Sequence, residues 1–306
     1  MVENGAEQSK DMNSWYILLY HNVSWEHGPF TEYCTSTCPP DLFREQLATL
    51  ASVFRIVSLE DGWREFKSGT QSEDLLTIWF DDGMRGVREY AFPIMKEHDI
   101  SGVVSVCSEF WRYKSHFWRF QLGYLNRIDG LRFLRTKLRL LGYKTEYSVR
   151  DFTLDHFSPE VLKAIRDCFE KFADESTKAA AFKLFDDKAG LIELRNAGWT
   201  LTNHSASHFP IGEPTAVEDL EQEFELCDLA MNEDFGLSNE FYVLPFARKG
   251  KNSNDLKVRF QTKFPGAKLV LAGGLKNNFR NLDDGVIYRH TAPLVGGRDL
   301  LNFLKR

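Results

Sequence analysis

The chain has 306 residues, 43% hydrophobic and 27% charged, which suits one barrel-sized domain or two smaller ones and is too apolar for a disordered chain. No run of roughly eighteen apolar residues occurs, and Met1 to Asn13 is polar and acidic, so neither a spanning helix nor a secretory signal is legible and a cytoplasmic location is expected. A net charge of −6 argues against a surface built wholly for nucleic acid, yet Trp111 to Arg150 carries ten Lys or Arg against two acids, leaving −14 for the remainder.

In chain order, a polar tail (1–15, expected to be disordered) precedes a short apolar strand, Tyr16 to Tyr20. A loop ends at Pro39-Pro40, where Asp41 is placed to cap a helix carrying Phe43, Leu47 and Leu50 on one face. Arg55 to Val57 reads as extended, and Ser58 with Asp61 as the capping pair of a short helix running to Lys67. Leu75 to Phe80 is a buried-strand pattern closed by Asp81-Asp82-Gly83. A helix face (Val87, Ala91, Ile94, Met95) and a strand, Val103 to Val106, complete a parallel β-α-β unit. From residue 110 to 185 the strand rhythm stops. Phe117, Phe120, Tyr124, Leu125, Ile128, Leu131, Leu134 and Leu138 repeat with helical period, which marks a helical insertion in a single domain spanning 16–306. Alternation resumes with a helix over Leu191 to Asn196, a strand over Trp199 to Asn203 and a helix capped by Thr215. Phe241 to Leu244, Lys268 to Leu271 and Val286 to Tyr288 supply the remaining strands. Seven or eight strands interleaved with helices predict an α/β fold, a closed or nearly closed (β/α) barrel.

Catalytic groups of such barrels stand where strands end at the C-terminal face. Asp81-Asp82 follows one strand, and two adjacent carboxylates can serve a metal and a water; the plain alternative is an acidic turn with Gly83. His204 and His208 follow another, at a spacing that suits one cation, with a polar loop before Pro210 as the alternative. Two imidazoles and one carboxylate leave positions open for water and substrate, as a hydrolytic site requires. His21 closes the first strand and should line the same mouth.

Asp81-Asp82-Gly83 within LLTIWFDDG, followed by AFPIMKEHDI and later AGWTLTNHSASH, resembles the polysaccharide deacetylases with NodB homology. The opening YHNV and RIVSLEDGW are similar to the branch that deacetylates poly-N-acetylglucosamine. The resemblance covers roughly 16–108 and 186–250. It implies a distorted (β/α)7-8 barrel, Asp81 as general base, and Asp82, His204 and His208 as ligands of a divalent metal, Zn²⁺ first, with Co²⁺, Ni²⁺ or Mn²⁺ as alternatives. It also implies hydrolysis of the N-acetyl group of an amino sugar to free amine and acetate, as in polysaccharide biosynthesis. Many members carry an arginine two residues before a proline to orient the base; here Val243 precedes Leu244-Pro245, so the orienting group must come from elsewhere, with Arg248 and Arg289 as the candidates. Pro245, Phe246 and Arg248 are the expected substrate-binding segment, and His290 and His21 the candidates for the acid that protonates the leaving amine. Hydrolysis of a non-sugar amide and a catalytically silent carbohydrate-binding protein are the rival readings.

His27, His98, His116 and His156 stand without partners at ligand spacing. Cys34 and Cys38 are unaccompanied by a second pair, and five irregularly spaced cysteines predict reduced thiols. No nucleotide-cofactor loop occurs. The basic insertion has two readings. It is a solvated lid whose aromatics pack on the barrel, or a contact for a nucleotide sugar, a lipid-linked sugar pyrophosphate or an anionic membrane face; no groove-reading motif accompanies the charge, so nucleic acid is not expected.

Overall fold

The computed structural model describes residues 13–26, 28–31, 37–145, 158–209, 217–245, 258, 260–273, 277 and 285–305. Ten strands run β1 (Trp15–Tyr20), β2 (Asn22–Val23), β3 (Thr37–Cys38), β4 (Arg55–Ile56), β5 (Leu75–Phe80), β6 (Val103–Val106), β7 (Thr200–Asn203), β8 (Phe241–Val243), β9 (Lys268–Ala272) and β10 (Val286–Thr291). All barrel pairings are parallel, in the order β1-β10-β9-β8-β7-β6-β5, and a full six-residue register between β1 and β5 closes the ring at seven strands. The expected barrel is therefore present. Its distortion lies at β4, which pairs with Leu75 and Leu76 at the start of β5, while β6 takes Trp79 and Phe80 farther along. Two strands share one edge because each is too short to cover it.

β1 and β5 are buried along their whole length, as strands covered on both faces must be. Their alternation divides the core. Trp15, Ile17, Leu19, Leu75, Trp79, Val103, Val243, Val270 and Ile287 fill the barrel, while Tyr16, Leu18, Tyr20, Leu76 and Ile78 face the helices. Polar groups inside are paired: Trp15 Nε1 donates to Thr77 Oγ1 (3.0 Å), which donates to Val57 O (3.1 Å).

Several local expectations shift. Trp15 already belongs to β1 and is fully buried, so the tail ends earlier than 1–15; residues up to Met12 lie outside the described ones. Helix Pro40–Ala51 buries Phe43, Leu47 and Leu50, but Asp41 sits inside its first turn and Pro39 holds the cap position without a side-chain bond. Ser58 caps Leu59–Ser68 as expected, accepting from Asp61 N (3.1 Å). Thr215, His27, Cys34 and His156 lie outside the described residues. β10 runs three residues beyond the expected end at Tyr288, and this decides two side-chain directions below.

Helices Trp118–Arg127, Leu131–Leu140, Pro159–Phe172 and Glu175–Phe182 occupy the insertion. It is stitched back onto the barrel directly after Asp82. Asp186 N donates to Gly83 O (2.9 Å), Arg85 N to Leu184 O (2.9 Å), and Met84 bridges Phe185 in antiparallel fashion. Arg88 Nε donates to both oxygens of the buried Asp186 (3.0 and 2.9 Å), clamping this join.

Candidate metal centre

β5 ends in two consecutive left-handed residues, Asp82 (φ 73°) and Gly83 (φ 68°). Aspartate tolerates that conformation and glycine meets it without strain, so the chain reverses and both carboxylates stay at the rim. Three residues on, Gly86 passes so close to β2 that an added Cβ would lie 2.3 Å from both Asn22 Oδ1 and Val23 O. After β7, Ser205 (φ 69°) and His208 (φ 56°) are also left-handed, and bring the two imidazoles face to edge at 4.8 Å between centroids. Such backbone strain persists only where the surroundings impose it. Here Asn203 Oδ1 accepts from Ser205 N (2.8 Å), Glu223 accepts from both Ser207 N (2.7 Å) and Ser207 Oγ (2.9 Å), and Cys107 Sγ donates to His204 O (3.2 Å).

Asp82, His204 and His208 converge, with one ligand atom from each lying within 4.8 Å of the others. His208 Nε2 lies 3.2 Å and His204 Nε2 3.5 Å from Asp82 Oδ1. Those separations suit donors held about 2.0–2.1 Å from one tetrahedral centre. His204 Nδ1 is committed to Val243 O (2.9 Å), which leaves the Nε2 lone pair aimed inward. Both Asp82 oxygens are buried and receive no hydrogen bond. Two imidazole nitrogens and an unsatisfied carboxylate packed together in the dry rim call for a positive charge among them, and the donor set fits a divalent cation.

Asp81 is held differently. Arg289 Nη1 and Nη2 donate to its two oxygens (2.6 and 3.1 Å), and the guanidinium stacks over Trp79 at 5.1 Å. Burial alone would raise both aspartates. For Asp81, Arg289 and His204 outweigh burial and hold its pKa below the ordinary value; for Asp82, His208 and His204 hold it well below. Burial lowers the pKa of His21 and His208, while for His204 the two aspartates prevail and raise it.

His21 is half-buried at the end of β1 and feels the charges of Asp82, Asp81, Arg119 and Arg289; its Nδ1 is buried without a hydrogen bond. His290 is not brought to the site. Because β10 continues through it, strand alternation turns Arg289 inward and His290 outward, against Tyr16 and Phe303 at ring distances of 6.2 and 6.0 Å. Of the two arginines weighed as base orienters, Arg289 is the one beside Asp81; Arg248 and Phe246 lie outside the described residues, and Pro245 is buried just after β8. His98 is exposed, and His116 hydrogen-bonds Lys178 O and stacks on Phe182 at 3.8 Å.

The insertion supplies one wall of the centre. Phe117 packs on His208 at 4.7 Å between rings, Trp118 Nε1 donates to His208 O (3.3 Å), and Arg119 lies near enough to push the His21 and His208 pKa values downward. These contacts, like the Asn203 and Glu223 supports of the histidine loop, were not read from the sequence. Each joins residues 16 to 98 positions apart in the chain or lies inside a loop, and no periodicity marks them.

No protein-family model matches the chain, and a search of characterised proteins finds no match. Solved structures do. A Streptococcus pyogenes deacetylase, PplD, in complex with acetate is similar at a TM-score of 0.58 and 15% identity, over 96% of this chain and 99% of that one. IcaB from Ammonifex degensii is similar at 0.57 and 13%, over 96% of each chain, and a de-N-acetylase from Aggregatibacter actinomycetemcomitans at 0.59 and 12%, over 95% of this chain and all of that one. The fold is the one these structures share.

Proposed function

We propose that the protein is a metal-dependent de-N-acetylase that hydrolyses the N-acetyl group of an amino sugar, in a glycan or in a nucleotide- or lipid-linked precursor. The observation that carries this is the buried Asp82–His204–His208 cluster, its carboxylate without a hydrogen-bond donor, beside an Asp81 gripped by Arg289. The shared fold supports de-N-acetylation, because the similar structures are described as a deacetylase and a de-N-acetylase, and a further one from Bacillus cereus, described as a polysaccharide deacetylase, supports the sugar substrate.

A divalent cation, Zn²⁺ by the donor set, would be held by Asp82, His204 and His208 and would supply Lewis-acid polarisation of the acyl carbonyl and acidify water. Asp81 is ionised at neutral pH, and Arg289 fixes its plane so that an oxygen takes the proton of the attacking water. Burial keeps the His21 imidazole neutral, so the proton it passes to the departing nitrogen as the C–N bond breaks is the one Asp81 took from water, giving acetate and the free amine. Val243 acts through its carbonyl, holding the His204 tautomer that presents Nε2.

The test is acetate release from an N-acetylglucosamine oligomer by purified protein with added Zn²⁺, with chelator, and in Asp82→Asn. Asn keeps the left-handed turn but removes the charge. Activity is expected with metal alone, and the variant should lose both bound zinc and turnover. A metal-free protein that binds the sugar and hydrolyses nothing would establish the silent-binder reading, and release from non-sugar amides only would move the substrate class.

A further inference from the structure

We propose that the outer face of the helical insertion, centred on helix Leu131–Leu140, docks peripherally on an anionic lipid bilayer. That helix spends Leu134 and Leu138 on the interior, where both are fully buried. Opposite them it exposes Leu140 (84%) and one side of Phe133 (52%), whose ring packs on Phe172 and lies under Lys171 Nζ, and Leu141 and Ile128, which flank the helix in the chain, are exposed as well. Four of the twelve large hydrophobic side chains exposed among the described residues thus fall within 128–141. A cluster of that kind is not the scattered exposure ordinary on a folded surface.

Beside the apolar ridge runs a cationic one. Arg132, Arg135 and Arg139 fall on one side of the helix at spacings of three and four residues, are exposed, and make no ion pair among the described residues. Lys137, by contrast, is tied to Asp167 and contributes nothing outward. An apolar ridge flanked by guanidinium groups matches a bilayer interface, where alkyl chains take the leucines and phosphates meet the arginines. A soluble polyanion would satisfy the arginines and leave Leu140 in water. The charge along the sequence acts in the same sense, +8 over residues 111–150 against −14 for the rest; Arg112 and Lys137 are spent on Glu233, Asp234 and Asp167, and Arg132, Arg135 and Arg139 are the ones this face offers to an anionic surface. Among the described residues no helix is long and apolar enough to cross a membrane, so attachment is superficial. Phe117 and Trp118, at the start of the same insertion, touch His208, but the proposal does not depend on the hydrolytic reading.

The experiment is co-sedimentation of the full chain with vesicles of phosphatidylcholine alone and of phosphatidylcholine with phosphatidylglycerol, for wild type, Leu140→Asp and the double variant Arg132→Glu, Arg135→Glu. Wild type should pellet with the anionic vesicles only, and less as salt is raised. Each arginine charge removed should lower partitioning about fivefold, and Leu140→Asp should lower it about tenfold or more. Far-UV circular dichroism and bound zinc should be unchanged, since these side chains touch neither core nor site. The proposal is overturned if wild type ignores anionic vesicles at low salt, if both variants bind as well as wild type, if heparin binds where vesicles do not, or if the substitutions instead abolish a dimer seen by light scattering.

Discussion

The two halves of the barrel interior obey opposite rules. Toward the N-terminal ends of the strands, Trp15, Ile17, Leu75, Val103, Val270 and Ile287 are at most 1% exposed and the few polar atoms among them are paired. Toward the C-terminal ends, Asp81, Asp82, His204, His208 and Arg289 are buried almost as deeply, yet the Asp82 oxygens, close as they are to the two imidazoles, and Arg289 Nε make no hydrogen bond. Buried polar groups left unpaired are unfavourable. The lower half is apolar and satisfied, and the upper half keeps an unfavourable arrangement that a bound cation would relieve.

Changing Asp81, the proposed base, which stands outside the Asp82–His204–His208 cluster, breaks this contrast most sharply. Asp81→Asn should reduce hydrolysis by about 10²–10⁴-fold while zinc content, read by elemental analysis, stays at the wild-type level. Loss of zinc in that variant would merge the roles of the two aspartates. The reciprocal experiment is Trp15→Ala in the lower half, which removes a fully buried indole and the hydrogen bond it donates to Thr77 Oγ1. It should cost about 3–5 kcal/mol in urea unfolding and leave kcat per folded molecule unchanged.

Smaller in effect, His21→Gln separates proton delivery from bond polarisation. An amine needs protonation to leave, whereas the phenolate of an aryl acetate does not, so the variant should lose about 10–100-fold on the amide and little on the ester. Equal losses on both would assign His21 to binding.

Much of the upper half was legible because its clustered carboxylates and imidazoles follow strands in plain motifs: LLTIWF runs straight into Asp81-Asp82, and TLTN into His204. What escaped was parity. An expected end at Tyr288 leaves Arg289 and His290 as equivalent loop residues, whereas a strand reaching Thr291 sends one to Asp81 and the other to Phe303. The extension is dictated by pairing, since Leu18 and Leu19 of β1 stand opposite His290 and Thr291, and no local signal in IYRHTAP reports that register. The clamp of Asp186 on Arg88 was equally silent, because it joins groups 98 residues apart.

The join between barrel and insertion gives the gentlest test, through Asp234 at the end of helix Val217–Phe235. Its carboxylate accepts from Trp111 Nε1 (3.0 Å), Arg112 Nε (2.6 Å) and Lys188 Nζ (2.9 Å), gathering both ends of the insertion at one anion. Burial works against that charge, but Arg112, Trp111 and Lys188 prevail and bring its pKa down to about 2 from 3.8. A carboxylate depressed in the folded state adds stability that is fully present above its unfolded value and is lost as pH falls through its folded one. After discounting for the half-exposed Lys188, Asp234→Asn should cost about 1–2 kcal/mol at neutral pH. The difference in urea midpoint between wild type and variant should therefore hold from pH 7 to about 4 and narrow toward about 2. A gap that stays constant to the lowest pH at which both proteins fold would mean that shape, and not charge, holds the insertion to the barrel.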